Sequence, residues 1–158
     1  MDVYKVLTGL TYKYEISPKN LRVEITETAL MQNLEEQKRL LKKLQQAGFI
    51  VEMDDFGSGY SSLNMLKNIE VDAIKLDMAF LGAAENESRG RKILTAVVKM
   101  AKELDMPVIT EGVENSEQVD FLKQVGCDMF QGYYFAKPME VLQFEQLYLK
   151  QEFGKNPG

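Results

Sequence analysis

Acidic residues close a series of short apolar runs in this sequence. Glu24 and Glu27 end Val23-Glu24-Ile25-Thr26-Glu27, and Asp54 and Asp55 end Val51-Glu52-Met53-Asp54-Asp55. Lys75-Leu76-Asp77 and Thr110-Glu111-Gly112-Val113-Glu114 follow, and a fifth run ends in Gln131-Gly132. Gathered carboxylates repel unless a cation sits among them. Glu24, Asp54, Asp55 and Glu111 offer hard oxygen donors without nitrogen or thiolate, a set that suits Mg²⁺ or Mn²⁺ rather than copper or structural zinc. Taken singly, each carboxylate has a plainer reading: an acid after a strand commonly caps the next helix. Lys75 and Asp77, two apart on a strand, share a face and could simply pair. A polar group at the end of every expected strand is harder to explain that way. The chain contains no histidine, which removes Ser-His, Cys-His and His-metal chemistry, and its single cysteine, Cys127, forms neither an intramolecular disulfide nor a zinc cluster.

These residues need elements to hold them. Period-2 runs predict strands over Leu21–Thr26, Phe49–Met53, Ala73–Leu76, Pro107–Thr110 and Asp128–Gly132. Helical spacing predicts helices over Asp2–Tyr14, Leu34–Ala47, Arg91–Leu104, Ser116–Gln124 and Glu140–Lys150, with Asn33 and Glu36 reading as a capping box and Gly48 and Gly126 as stops. Strand–helix alternation five times over predicts an α/β fold with a parallel sheet. The carboxyl ends of such strands share one face, where ligands bind. An open doubly wound sheet and a barrel both satisfy the alternation. The pattern alone favours the open sheet, since an eight-stranded barrel typically takes ~250 residues.

Composition is that of one globular domain: 158 residues, 45% hydrophobic and 27% charged. A net charge of -5 lacks the basic footprint of a duplex nucleic-acid binder. No run is long and apolar enough for a membrane span and no signal peptide is read, so the expected location is cytoplasmic. Asp55-Phe56-Gly57 is spelled like a kinase metal motif, but the kinase catalytic loop needs a histidine. Gly57-Ser58-Gly59-Tyr60-Ser61-Ser62 reads as a mobile loop rather than a dinucleotide fingerprint. The nine methionines and Cys127 read as apolar filler, and the charges of Glu35–Lys43 as a solvated helix face.

Five ordered segments resemble a known family. Glu24-Ile25-Thr26-Glu27-Thr28, Asp54-Asp55-Phe56-Gly57-Ser58-Gly59-Tyr60-Ser61-Ser62-Leu63, Lys75-Leu76-Asp77, Glu111-Gly112-Val113-Glu114 and Gln131-Gly132-Tyr133-Tyr134-Phe135-Ala136-Lys137-Pro138 are similar to the EAL-domain phosphodiesterases, which linearise the bacterial second messenger cyclic di-GMP to pGpG. The resemblance implies a TIM-like (β/α) barrel in place of the open sheet. It also implies a two-metal site using Mg²⁺ or Mn²⁺. Glu24 and Asp54 would be metal ligands, with Asp55 completing the second metal position. Glu111 would be general base and indirect metal partner, and Lys75 would position the attacking water and offset phosphate charge. Gln131 would contact the site, Phe135 to Pro138 would border a guanine, Glu27 would tether the Asp55–Leu63 loop, and Asp77 and Glu114 would be supports.

Family members carry further elements upstream of Glu24: a strand with the Glu-Ala-Leu signature, a phosphate-gripping arginine and a metal-binding asparagine. The expectation is therefore an incomplete barrel of about five βα units, residues 1–153 forming a partial EAL domain and 154–158 a flexible tail. Such a chain is expected to be inactive alone and to pair, as a homodimer or with the missing barrel portion. The alternative is a catalytically inactive cyclic di-GMP-binding or dimerisation module. A third reading is a barrel aldolase with Lys75 as Schiff-base amine.

Overall fold

The computed structural model describes residues 2–57, 62–81 and 87–149. Helix α1 (Val3–Lys13) leads through a 3₁₀ turn to β1 (Arg22–Thr26), which runs directly into α2 (Glu27–Gln32) and α3 (Leu34–Gln46). There follow β2 (Ile50–Asp54), α4 (Ser62–Asn68), β3 (Ala73–Asp77), a 3₁₀ turn, α5 (Glu87–Glu103), β4 (Val108–Glu111), α6 (Ser116–Val125), β5 (Met129–Phe130) and α7 (Val141–Phe144), the last continuing as a π-turn over Glu145–Leu149. All five expected strands form. The expected tail at 154–158 and positions 58–61 of the expected mobile loop lie outside the described residues.

The five strands are all parallel and lie in the order β1-β2-β3-β4-β5. This order decides between the two sheets that the sequence pattern left open. A doubly wound sheet reverses direction at a switch point; here every crossover steps the same way, as in a barrel wall. The open-sheet expectation drawn from pattern alone is therefore corrected, and the TIM-like architecture stands.

Alternation divides the sheet into two chemically different faces. Val51, Met53, Ile74, Leu76 and Val108 are fully buried on the outer face, against Leu41 and Leu44 of α3, Leu94, Val98 and Ala101 of α5 and Leu122 of α6. That layer is the hydrophobic core. The inner face carries Arg22, Glu24, Glu52, Asp54, Lys75, Asp77 and Glu111, brought into rows by the register: Glu24 beside Glu52, Glu52 beside Ala73, Asp77 beside Glu111.

A repeated device pins the strands. Asp72, just before β3, donates its N–H to the Val51 carbonyl (2.8 Å) and accepts from the Val51 N–H through Oδ2 (2.8 Å). Asp128 does the same to Val108 before β5, at 3.1 and 2.9 Å. Each aspartate thus closes a two-point clamp on its neighbour strand. Helix starts differ from expectation at two places: α5 begins at Glu87, four residues before the expected Arg91, and the start of α3 is capped differently. Asn33 does precede α3, but its side chain makes no capping bond; its amide donates instead to Glu36 Oε2 at 2.6 Å. The capping box is at Asn115 and Gln118, opening α6.

Candidate functional site

Lys75 lies at the centre of the inner face. Its strand position places the side chain among three neighbouring strands, and only 5% of it is exposed. Nζ donates to Glu24 Oε1 at 2.7 Å and lies 3.4 Å from Asp54 Oδ1 and 3.3 Å from Glu111 Oε2. Thus β1, β2 and β4 each deliver one carboxylate to an ammonium supplied by β3. With all three ionised, the cluster is two charges short of neutrality, the charge of one divalent cation.

Electrostatics assign different roles to these groups. Burial works to remove the Lys75 proton, yet the Glu24 hydrogen bond and the fields of Glu111 and Asp54 outweigh it, and the ammonium is held above the ordinary lysine range. A lysine that stays charged is a poor Schiff-base nucleophile, which disfavours the aldolase reading. Glu111 moves upward from the usual glutamate value: burial and the adjoining Asp54 carboxylate raise it, and Lys75 opposes. A carboxylate raised in this way is a better proton acceptor.

The donor chemistry fits a hard divalent cation. Every candidate ligand atom is oxygen, and the buried Asp54 Oδ1 accepts no hydrogen bond among the described residues, its 3.4 Å contact with Lys75 being an ion pair alone. Glu24 keeps 49% of its side chain exposed and Glu111 23%, so both have oxygen surface to offer. Among the described residues no three such groups already converge as metal ligands; three converge on Lys75 instead.

The other expected site residues sit at or just beyond the carboxyl ends of the same strands. Asp55 is exposed, with φ 55°, in the left-handed region that aspartate tolerates better than most residues. It turns the chain out of β2, and the next N–H, of Phe56, donates to the Lys75 carbonyl at 3.1 Å. Glu27 is 1% exposed in the first turn of α2; much of the loop it is expected to tether is outside the described residues. Asp77 does not pair with Lys75: its Oδ1 accepts from the Ala79 N–H at 2.8 Å, capping the turn after β3. The same oxygen packs against Gly112, where a Cβ would lie 3.0 Å away and φ is 73°, so Asp77 props the backbone that follows Glu111. Glu114 is exposed and its N–H donates to Gln118 Oε1 at 2.7 Å.

Gln131 prolongs β5 alongside Glu111. Its N–H donates to the Thr110 carbonyl (2.8 Å) and its carbonyl accepts from the Val113 N–H (3.1 Å). Gly132 then crosses so close to β4 that a Cβ would sit 2.1 Å from the Val113 carbonyl oxygen, a contact only glycine avoids. Beyond it a cleft of about 660 Å³ opens, lined by Gln131, Tyr133, Lys137, Pro138, Phe144 and Tyr148 among others. Phe135 stacks on Phe130 (centroids 6.5 Å apart) and meets Tyr134 edge-on at 5.1 Å. Two inner-face residues were not singled out from sequence: Glu52, 2% exposed, and Arg22, whose Nη1 pairs with Glu52 Oε1. The signal was available, since each lies two residues before an expected ligand and so shares its face.

Comparison with known proteins bears on this geometry. The EAL domain family model matches residues 5–138. The signaling protein YkoW of Bacillus subtilis is 36% identical over 150 residues, covering 95% of this chain and 19% of its own. The cyclic di-GMP phosphodiesterase PdeR of Escherichia coli is 38% identical over 144 residues, covering 91% and 21%. The manganese and cyclic di-GMP complex of Klebsiella pneumoniae BlrP1 superposes with a TM-score of 0.77 at 32% identity, covering 86% of this chain and 34% of that one. The chain spans about a fifth of the length of these curated relatives.

Proposed function

The chain belongs to the EAL domain family, and from that premise we propose that its inner-face cluster is the carboxyl-terminal part of a site that hydrolyses cyclic di-GMP to linear pGpG. The observation that carries the reading is the convergence of Glu24, Asp54 and Glu111, from three strands, on Lys75 Nζ. Similarity to PdeR and to the BlrP1 complex supports the choice of substrate.

Glu24 and Asp54 would hold a divalent cation, Mg²⁺ or Mn²⁺, and Asp55 would complete a second position. When bound, such cations neutralise the phosphodiester and acidify water. The chain's own residues do the rest. Glu111, its proton affinity raised by burial and by Asp54, takes the proton from the attacking water. Lys75 stays protonated, orients that water and offsets charge growing on the phosphate. Gln131 and Pro138, which line the cleft beyond Gly132, would contact the nucleotide. Glu27 would tether the Asp55–Leu63 loop, and Asp77 and Glu114 would be supports around the site.

The working form would be cytoplasmic and a homodimer, or paired with further barrel units. Among the described residues no helix is long and apolar enough to cross a membrane. The test is incubation of cyclic di-GMP with Mn²⁺ and the chain, alone and within a complete domain, with product separated by chromatography. Formation of pGpG in the complete domain, lost in Glu111→Gln, supports the reading. Binding without product in that domain would favour an inactive module, and neither binding nor product would refute the assignment.

A further inference from the structure

Glu52 is a buried carboxylate on the inner face for which the proposed chemistry has no use. It is the register partner of Glu24, so the two side chains stand side by side on adjacent strands, about 4.8 Å apart at the backbone. Its other neighbour is Ala73, small enough to leave it room. Arg22 lies two residues before Glu24 on the same strand face, within reach of either glutamate. It pairs with Glu52, while Glu24 bonds Lys75 at 2.7 Å.

We infer that Glu52 is a positioning residue that holds Arg22 away from Glu24. An arginine beside two carboxylates takes whichever gives the better fork, and the guanidinium is the stronger partner for a carboxylate than an ammonium. Glu52 is 2% exposed, so its charge is tolerable only when paired, and this commits Arg22 to it. Glu24 is left half exposed and free to serve Lys75. Without the Glu52 charge, the 44%-exposed Arg22 swings to Glu24 and takes it from the cluster. The sequence pattern Arg22-x-Glu24 beside Glu52-x-Asp54 is then a paired device, each strand carrying one site carboxylate and one member of the pair beneath it. The consequence for a divalent cation rests on the function proposed above; the geometry at Lys75 does not.

The test compares the wild type, Glu52→Gln and Arg22→Met/Glu52→Gln. The first readout is the ¹⁵N resonance of the Lys75 ammonium, assigned by its loss in Lys75→Met. The second is Mn²⁺ affinity, with folding checked by circular dichroism. The expected result is a displaced Lys75 signal in Glu52→Gln, with Mn²⁺ binding weakened about tenfold or more. Both return to wild-type values in the double variant, which has no arginine to compete. A purely structural pair would lower folding stability in Glu52→Gln and leave the Lys75 signal where it is. An unmoved Lys75 signal in Glu52→Gln, or a double variant without the wild-type signal, would overturn the inference. Where Glu52→Gln fails to fold, Glu52→Met, apolar and of similar volume, takes its place as the single variant. Absence of Mn²⁺ binding by the wild type would contradict the cation reading, and the Lys75 resonance would still decide the role of Glu52.

Discussion

Replacing Lys75 with Met keeps most of the side-chain stem and removes the one charge that holds three carboxylates together. At an effective dielectric near 20, each ammonium–carboxylate contact at the observed 2.7–3.4 Å contributes roughly 5 kcal/mol gross. Desolvating the buried ammonium offsets several kcal/mol of that. Glu24, half exposed, is screened and contributes closer to the ~0.2–1 kcal/mol of a surface pair. Because the carboxylates left behind reach water in part, the net loss should be about 2–4 kcal/mol at pH 7, at or below the usual range for breaking a buried pair. The pH dependence has a definite sign. Without Lys75, nothing opposes burial and Asp54 at Glu111, whose carboxyl binds its proton more tightly folded than unfolded. Its contribution is then fully present below the unfolded pKa of about 4 and is lost as pH rises through the folded value. The deficit against wild type should therefore be small near pH 4 and full by pH 7. Urea unfolding at both pH values measures it. A variant as stable as wild type at pH 7, or one with the same deficit at both, would refute this account of the cluster.

Four further outcomes follow from the same geometry. Glu111→Gln in a complete domain should lower turnover by about 10²–10⁴-fold while leaving nucleotide binding largely intact; near-normal rates by product chromatography would remove Glu111 as the base. Gly132→Ala should cost more than ~2 kcal/mol or displace Gln131, because its Cβ would meet the Val113 backbone at 2.1–2.7 Å; an unchanged urea midpoint would contradict that close approach. Asp72→Ala should cost about 1–3 kcal/mol by stripping the buried Val51 N–H of its acceptor, read as a shift in the same midpoint. Asn115→Ala should cost about 1 kcal/mol through loss of the α6 capping box, and a thermal melt matching wild type would count against the cap.

Much of this organisation is legible in the sequence because alternating apolar residues and acidic strand ends are local signals. The five strands form where the period-2 runs lie, and Glu24, Asp54 and Glu111 meet as their positions at strand ends suggest. What local pattern does not carry is curvature. Strand–helix alternation is the same in an open sheet and a barrel wall, and only the sequential strand order separates them. Two helices escaped for a different reason. α2 spans six residues and α4 seven, too short for a helical period to show, and both overlap segments read for chemistry. The Asn33 capping box does not form: the Glu36 carboxylate accepts from the asparagine side-chain amide and not from the Asn33 backbone N–H. Lys75 and Asp77 do share one face, yet each takes other partners: three carboxylates for the lysine and the Ala79 N–H for the aspartate. Alternation places Arg22 and Glu52 on the face of Glu24 and Asp54, but that they pair shows only once the partner strand is known.

In the proposed function, Glu24, Asp54 and Glu111 gather around Lys75 to act on a phosphodiester with a divalent cation. Anomalous diffraction from crystals of a complete domain carrying this chain, grown with Mn²⁺ and cyclic di-GMP, tests it most directly. The account predicts a manganese peak about 2.0–2.2 Å from Glu24 and Asp54 oxygens, with a nucleotide phosphate beside Lys75. Manganese absent from these carboxylates while nucleotide binds elsewhere, with the three still closed on Lys75, would contradict it.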